Sequence, residues 1–406
     1  MTLGISLLLI QFAAAVPWLL ALTWRPTPPP DRVSARPAKR WGVLLVLGAG
    51  LGAAIGLGVL VGLFIDMSGD RETLESLGRG YATVLQLQLY ADLLVLTFAL
   101  ILWLWPKGGA VARAAFREGY RQPLFWLLLA MAVGWFFMAP FVPYFTFGED
   151  YVVMKELGFD VVILAGSLFG VLAAQSVTEE IEGRTAITLM SKPVSRRQFL
   201  LGKFLGIFLC ALLLVLVVGW LFDLVLLYKR WFDNMDAVVL APEASAWVGG
   251  LGLDAAGQYV VRGVALWGQH TSEVAPGLVM AAMLVMVLTA VAVTLAVRTP
   301  MIVNLTTCLF IYMIANLMPT VVALTRGTDP SKANAVQKLL HFTAQLFDSL
   351  LPNLELFRVR PTLLDENALP LGDYVQHVAA VSVYGLLFTA IVLLLGLVLF
   401  EDRDLA

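Results

Sequence analysis

The chain has 406 residues, of which 60% are hydrophobic and only 14% are charged, and its formal net charge is −2. Soluble domains carry about 25% charged residues, so a chain with a mean hydropathy of +0.84 belongs in a membrane. The near-zero net charge gives no signal for nucleic acid, and no nucleic-acid partner is expected.

Apolar runs that are long enough to cross a bilayer recur along the whole chain. A helical span needs ~20 predominantly apolar residues. Nine segments meet this requirement: 3–24, 42–65, 84–105, 124–146, 157–177, 199–228, 275–297, 301–325 and 376–400. The first has no basic leader and no small-residue cleavage site, so we interpret it as a span and not as a signal peptide. The sequence therefore predicts an all-α polytopic membrane protein.

The second span is rich in glycine. Gly48, Gly52 and Gly56 follow one another at four-residue spacing, and Gly58 and Gly62 come next. Small residues at this spacing let two helix backbones approach closely in lipid. We expect the second span to pack tightly against another helix.

The distribution of charge predicts the orientation. Basic residues concentrate in the segments 25–41, 106–123 and 178–198, whereas the segments on the opposite side, 66–75, 149–156 and 233–243, are rich in acidic residues. Basic loops favour the cytoplasmic side of a membrane. We therefore expect a multi-pass protein of the cell (inner) membrane, with its N-terminus outside and its C-terminus in the cytoplasm.

Several segments lie outside these spans. Segment 25–41, rich in proline and arginine, is expected to form an extended cytoplasmic linker. Segment 109–122 has the pattern of a basic amphipathic helix at the inner surface. Segments 229–274 and 326–375 are expected to be outer loops, and the second has helical spacing over 336–350. These boundaries predict an N-terminal membrane region, 1–105, and a core of six spans with the interfacial helix, 106–406.

The charged segment 178–198 separates two spans. Glu179 follows one span, Gly183 permits a turn, and Pro193 ends the short helix expected over 185–190. Ser195 is placed to cap the helix that enters the next span. Because ionisable groups cost several kcal/mol in hydrocarbon, this segment must lie in water or against another protein.

The order of residues in this segment resembles the signature of ABC-2-type transporter permeases, the membrane subunits of ATP-binding-cassette (ABC) exporters. The matching patterns are Glu-x-x-x-Gly-x-Thr, Leu-x-Ser-x-Pro-Val-Ser-Arg and Phe-Leu-x-Gly-Lys. The resemblance covers roughly residues 106–406. It implies a six-span ABC-2-type permease core with about three extra N-terminal transmembrane helices. Arg184, between Gly183 and Thr185, departs from the many members in which Gly and Thr are adjacent.

In that family the segment forms a coupling helix that docks on the ATPase. The resemblance and the charged residues within the segment give these candidate ATPase-coupling residues: Glu179, Glu180, Glu182, Gly183, Arg184, Thr185, Leu189, Ser191, Lys192, Pro193, Ser195, Arg196, Phe199 and Lys203.

The resemblance also implies the source of energy. The chain contains no Gly-x-x-x-x-Gly-Lys-Ser/Thr phosphate-binding loop and no soluble stretch long enough for an ATPase domain. We therefore expect no catalytic residue and no cofactor on this chain, with ATP and Mg bound by a separate ABC ATPase subunit. A second permease copy or a related permease, and the membrane lipids, are the other expected partners.

Two acidic residues within spans, Asp92 and Asp223, leave another function open. An intramembrane carboxylate indicates a cation or proton path, although both lie near the outer ends of their spans, where they could reach water. The histidines lack metal-ligand spacing, and Cys210 and Cys308 fit as packing residues, so no metal site is expected. The alternatives to a permease are a non-transporting scaffold or mechanotransmission subunit of an ABC complex, and an ion-coupled secondary carrier.

Overall fold

The computed structural model describes residues 2–23, 38–144, 150–182, 194–233, 239–326, 339, 342–343, 346, 351–358 and 371–401. These residues are almost entirely helical and include no strand. Eight helices in the described part are long and apolar enough to cross a membrane. The predicted all-α polytopic membrane fold is therefore confirmed.

The helices are numbered here in chain order. The first seven are α1 (Thr2–Thr23), α2 (Ala38–Met67), α3 (Arg71–Leu104), α4 (Pro106–Gly119), α5 (Pro123–Met138), α6 (Asp150–Ala173) and α7 (Gln175–Glu182). The remaining ones are α8 (Arg196–Phe232), α9 (Pro242–Gly250), α10 (Ala255–Ala296), α11 (Met301–Arg326) and α12 (Leu371–Glu401). Short 3₁₀ turns lie at Ala139–Phe141 and Leu354–Phe357.

Some predicted segments differ from the observed helices. The predicted span 301–325 corresponds to α11, whose described apolar part, Met301–Leu317, is shorter than the eight long spans. The amphipathic helix expected over 109–122 begins at Pro106, which suits the first turn of a helix because it needs no N–H partner there. Of the linker 25–41, residues 25–37 lie outside the described residues. Within 336–350, positions 339, 342, 343 and 346 are helical, and the others lie outside the described part.

The expectation of a loop over 229–274 was wrong. This segment contains the end of α8, the helix α9 and the first 19 residues of α10, which continues through Pro276. Apolar residues do not recur at helical spacing over 255–273, because this stretch packs against α3 through polar side chains and glycines. Trp267 Nε1, for example, donates a hydrogen bond to Gln86 Oε1 at 2.9 Å.

The chain divides into two compact units, and the first contains residues 1–100 and 235–273. Within it, α1 and α2 pack through glycine: a Cβ atom at Gly4 would overlap the backbone of Gly58 and Gly62. Gly48, Gly52 and Gly56 have open space instead. The predicted close helix packing is present, but it uses the C-terminal glycines of α2.

The second unit contains residues 101–234 and 274–406. Its core surrounds α6, where Gly158 and Gly166 allow Phe222 and Val215 of α8 to approach closely. Phe222 is fully buried and stacks on Phe136 of α5 at 5.5 Å. The packing therefore gathers α5, α6, α8 and the second half of α10 into one bundle. The predicted functional division at residues 105 and 106 stays a prediction, because compact packing alone does not define a functional domain.

Part of the predicted outer loop 326–375 is buried in the second unit. Leu354 and Phe357 are fully buried, and the Asn353 backbone N–H donates to Tyr384 Oη at 2.9 Å. Arg358 pairs with Asp160 of α6 at 2.9 Å, and this carboxylate keeps the pKa of Arg358 above its usual value despite the opposing effect of burial. The segment 351–358 is therefore an anchored part of the bundle.

Candidate functional site

The charged segment begins on α7, one face of which is buried against the second unit. Val177, Thr178 and Ile181 are buried, whereas Glu179 and Glu182 are exposed. Thr178 Oγ1 donates a hydrogen bond to the Ala296 carbonyl at 2.9 Å. This bond satisfies a carbonyl at the end of α10, which the helix itself leaves unpaired. It holds α7 against the end of α10.

Lys203 of α8 joins three helices. Its side chain is only 5% exposed, and its Nζ lies 2.6 Å from Glu180 Oε1 of α7 and 3.1 Å from Glu118 Oε2 of α4. An ammonium group buried in this way needs paired carboxylates, because desolvation of an unpaired charge is costly. The two glutamates therefore supply the partners that allow Lys203 to lie inside.

Ser195 caps the start of α8, as the sequence predicts. Ser195 Oγ accepts a hydrogen bond from the Gln198 N–H at 3.2 Å, and Gln198 Oε1 accepts one from the Ser195 N–H at 3.1 Å. This reciprocal capping box satisfies two donors that the first turn cannot pair internally. It fixes the direction in which the chain enters α8.

The first turn of α8 also holds the end of α12. Arg196 Nη1 donates to the carbonyls of Phe400 and Glu401 at 3.0 and 2.9 Å, and Arg197 pairs with the Glu401 carboxylate at 2.9 Å. Arg298 Nε donates to the Leu399 carbonyl at 3.0 Å. Cationic groups at a helix C-terminus pair orphan carbonyls and interact favourably with the helix dipole.

Aromatic packing reinforces this contact. Phe400 is fully buried, its ring lies 6.0 Å from that of Phe199, and the Arg196 guanidinium lies 5.8 Å from the Phe400 ring centroid. Aromatic and cation–π contacts of this kind each contribute about 0.5–1.5 kcal/mol. The start of α8 and the end of α12 therefore form one continuous contact.

The amphipathic helix α4 lies along α8. A Cβ atom at Gly202 would approach Val111 and the Gly108 carbonyl, and one at Gly206 would overlap the Ala112 carbonyl. The opposite face of α4 stays exposed and carries Lys107 and Arg117. Burial and the nearby charge of Arg117 lower the pKa of Arg113 from its usual value.

The structure brings together some of the predicted coupling residues. Glu180 lies on α7, which also carries the exposed Glu179 and Glu182. The start of α8 carries the others, which are Ser195, Arg196, Phe199 and Lys203. Seven others lie outside the described residues: Gly183, Arg184, Thr185, Leu189, Ser191, Lys192 and Pro193.

Sequence reasoning missed several partners at this site. Glu118, Thr178, Arg298 and Glu401 make contacts that no motif assigned. Their only signal was a polar side chain close to the end of an apolar run, which is a position shared by many residues that have no such role.

The two intramembrane carboxylates lie in different units. Asp92 of α3 is 7% exposed and belongs to the first unit, whereas Asp223 of α8 is fully buried in the second. Both are therefore enclosed by the protein itself. Within the described residues, no group of three or more His, Cys, Asp or Glu side chains is arranged to hold a metal ion.

The comparison with known families bears on a stretch that lies mainly in the second unit. Residues 120–247 match the family model described as ABC-2 family transporter protein, and no curated protein matches the chain. The matched range contains α5 to α8 and thus both sides of the charged segment. Members of this family are membrane transport components and are not themselves catalytic. Over residues 120–247, the chain is therefore similar to the ABC-2 family of transporter proteins.

Proposed function

We propose that this chain is the permease subunit of an ABC exporter and that the segment 178–198, with Phe199 and Lys203, couples it to a separate ATPase subunit. The observation that carries the proposal is the position of Lys203, which binds Glu180 of α7 and Glu118 of α4 from its place on α8. These contacts lie on α7 and in the first turns of α8, the helices on either side of residues 183–193 in the chain. A displacement of α7 would therefore act on three helices together.

Force would spread from α7 along defined contacts. Thr178 connects α7 to the end of α10, and Arg196 connects the start of α8 to the end of α12. Packed helices joined in this way move as rigid bodies and do not deform continuously. The residues of this chain would bind the ATPase and transmit its movement to the membrane helices. ATP and Mg would be bound, and ATP hydrolysed, on the partner ATPase.

The proposed assembly sits in the cell (inner) membrane and contains two permeases, either two copies of this chain or this chain with a related one. The charge distribution supports placing the charged segment and the C-terminus in the cytoplasm and the N-terminus outside. The exposed carboxylates of Glu179 and Glu182 would then be available to a cytoplasmic ATPase.

The buried carboxylates support a second candidate function. Asp92 and Asp223 are enclosed within spans, as expected for groups on an ion path. An ion-coupled carrier would work without an ATPase, so dependence on an ATPase separates this function from the permease. A non-transporting scaffold of an ABC complex would bind the ATPase without moving substrate, so substrate flux separates it from the exporter.

The first experiment is purification of the full chain in mild detergent from its own membrane, followed by identification of bound proteins by mass spectrometry. The test variant is Glu179→Lys/Glu182→Lys, which reverses two exposed charges on α7. The matched control is Glu72→Lys/Glu243→Lys, which reverses two exposed charges at the predicted outer ends of helices.

We expect an ATPase with a phosphate-binding loop to accompany the wild-type chain and the control variant, and to be lost from the α7 variant. ATPase recovered equally with both variants would place the docking site elsewhere. The absence of an ATPase from the wild-type sample, even after crosslinking, would contradict the permease proposal and favour the carrier.

A further inference from the structure

Three arginines surround one carboxylate in the first unit. Arg71 Nε lies 2.8 Å and Arg262 Nε 3.3 Å from Glu75 Oε1, and Arg79 Nη2 lies 3.9 Å from Glu75 Oε2. Arg71, Glu75 and Arg79 share one face of α3 because they are four residues apart. Arg262 comes from α10, which makes this a contact between two helices.

The cluster itself has an excess of positive charge. Three guanidinium groups face one carboxylate, so these four side chains together carry +2. Two carboxylates close by in the chain bind groups of their own helices: Asp70 accepts hydrogen bonds from the N–H and hydroxyl of Thr73, and Asp254 accepts one from the Gly257 N–H.

The donors of the cluster are only partly used. The Nε atom of Arg79 is buried with no hydrogen-bond acceptor in the described part of the chain, and Arg262 Nε has its ion-pair contact with Glu75 Oε1 at 3.3 Å without the geometry of a hydrogen bond. Buried donors of this kind cost free energy unless an acceptor reaches them. The carboxylate of Glu75 is enclosed at 12% exposure, whereas the side chains of Arg71, Arg79 and Arg262 are 57%, 36% and 31% exposed. A ligand from solvent or lipid can therefore reach the arginines.

The site is held by a close helix crossing. A Cβ atom at Gly78 would overlap the Val260 carbonyl, and one at Gly263 would overlap the Glu75 carbonyl. The Arg71 guanidinium also lies 5.8 Å from the ring centroid of Tyr259 on α10. Backbones in such contact leave little freedom to their side chains, so the arginines are preorganised before a ligand arrives.

The location suits a phosphate group. The cluster occupies the first turns of α3, before the apolar stretch that begins at residue 84, and thus lies at the polar end of a span. Lipid phosphates occupy this depth at the edge of the hydrocarbon. Guanidinium groups are well suited to phosphate because they donate paired hydrogen bonds to its oxygens.

We propose that Arg71, Arg79 and Arg262 form a binding site for a phosphate-bearing anion between α3 and α10. Glu75 pairs with the three guanidinium groups and lowers the net charge of the site. The phosphate group is carried by a lipid head group or is free in solution. The three arginines belong to the first unit and lie outside the family match at residues 120–247, so the site does not depend on the function proposed for the second unit.

The test is a titration of the detergent-purified full chain, followed by native mass spectrometry, with three separate probes. These are phosphatidylglycerol, diacylglycerol as the matched lipid without phosphate, and inorganic phosphate. Arg79→Gln and Arg262→Gln remove one donor group each. Glu75→Gln removes the internal anion, and Arg117→Gln on the exposed face of α4 is the control for loss of one positive charge.

We expect phosphatidylglycerol or phosphate to bind more tightly than diacylglycerol, and each cluster arginine variant to weaken that binding by roughly tenfold, the usual effect of losing a charge-assisted hydrogen bond. Glu75→Gln should strengthen it severalfold, because the local charge rises from +2 to +3. This opposite change keeps the test decisive if an arginine variant folds poorly. Tight binding of the lipid alone identifies a head-group site, and tight binding of phosphate alone identifies a soluble anion.

Equal binding of diacylglycerol with no binding of phosphate would overturn the proposal. An equal loss with Arg117→Gln and Arg79→Gln would also overturn it, because the binding would then follow total charge and not this cluster. Unchanged binding in both cluster arginine variants, or weaker binding in a folded Glu75→Gln variant, would overturn it as well.

Discussion

Lys203 and Glu180 form a 2.6 Å ion pair in which the lysine side chain is 5% exposed and the glutamate 24%. The pair joins the helix that enters the charged segment to the helix that leaves it. Burial makes this pair different from ordinary surface ion pairs, which contribute about 0–1 kcal/mol. Without this lysine, the carboxylates of Glu180 and Glu118 would lack a cation in a place where water does not solvate them fully.

Replacing Lys203 with Met should destabilise the second unit. The methionine keeps most of the volume but leaves Glu180 and Glu118 without their cation. Loss of one partner from a fully buried pair costs about 3–5 kcal/mol. Because both glutamates are partly exposed, we expect roughly 1–3 kcal/mol here, measured as a lower unfolding temperature in detergent. Lys107→Met on the exposed face of α4 is the control, and equal losses in the two variants would contradict the buried role of Lys203.

Arg196 and Arg197 should differ in importance although they are adjacent. Arg196 donates to two carbonyls of α12 and lies against the buried Phe400 ring. Arg197 pairs with Glu401, and both side chains are at least half exposed. We expect Arg196→Gln to increase hydrogen exchange in the last turn of α12 and Arg197→Gln to have little effect. The same increase in both would mean that general charge, and not the carbonyl contacts, stabilises this turn.

The Ser195 cap gives a third prediction. Ser195→Ala removes the acceptor of the Gln198 N–H, and an N-cap serine contributes about 1 kcal/mol. We expect faster hydrogen exchange of the amides in the first turn of α8, with little change near its C-terminal end at Phe232. Ser195→Asp should restore the protection because aspartate is also a good N-cap. Failure of this rescue would show that the serine acts through another contact.

The helical fold could be predicted from sequence because hydrocarbon imposes a simple constraint. A span must satisfy its own backbone hydrogen bonds, so a long apolar run has to be helical. The prediction was wrong over 255–273 because packing there depends on glycine and polar pairs. Gly263 lies against the Glu75 carbonyl and Trp267 binds Gln86, and neither contact produces a hydrophobic period.

The site was predictable only where its contacts are local in the sequence. Ser195 was identified because capping is local, involving residues three positions apart. Glu118 lies 85 residues from Lys203 in the chain, and the carbonyls that Arg196 binds lie more than 200 residues from it. Pairing over such separations depends on how the helices pack, and no local pattern in one sequence records it.

Asp70 predicts how the start of α3 responds to acid. Hydrogen bonds from the hydroxyl and N–H of Thr73 lower the pKa of Asp70 from its usual 3.8. A lowered folded-state pKa means that the stabilisation is complete above the unfolded pKa and is lost as the pH falls through the folded one. We expect the first turn of α3 to lose amide protection, corrected for intrinsic exchange, only below about pH 4. Asp70→Asn should abolish this pH dependence, and a transition near neutral pH would assign it to another group.

The contact between α4 and α8 can be tested through a glycine that leaves no room for a side chain. A Cβ atom at Gly206 would overlap the Ala112 carbonyl, which belongs to the backbone and cannot turn aside as a flexible side chain would. Gly206→Leu should therefore force α4 away from α8 and separate Glu118 from Lys203.

Gly134→Leu is the matched control because open space surrounds Gly134. We expect a bifunctional thiol reagent that spans about 10 Å, and not a direct disulfide, to join cysteines introduced at positions 118 and 203 in an otherwise unaltered chain and in the Gly134 variant, but not in the Gly206 variant. Crosslinking that persists with Gly206→Leu would show that α4 is held by its other contacts and that the glycine crossing does not determine its position.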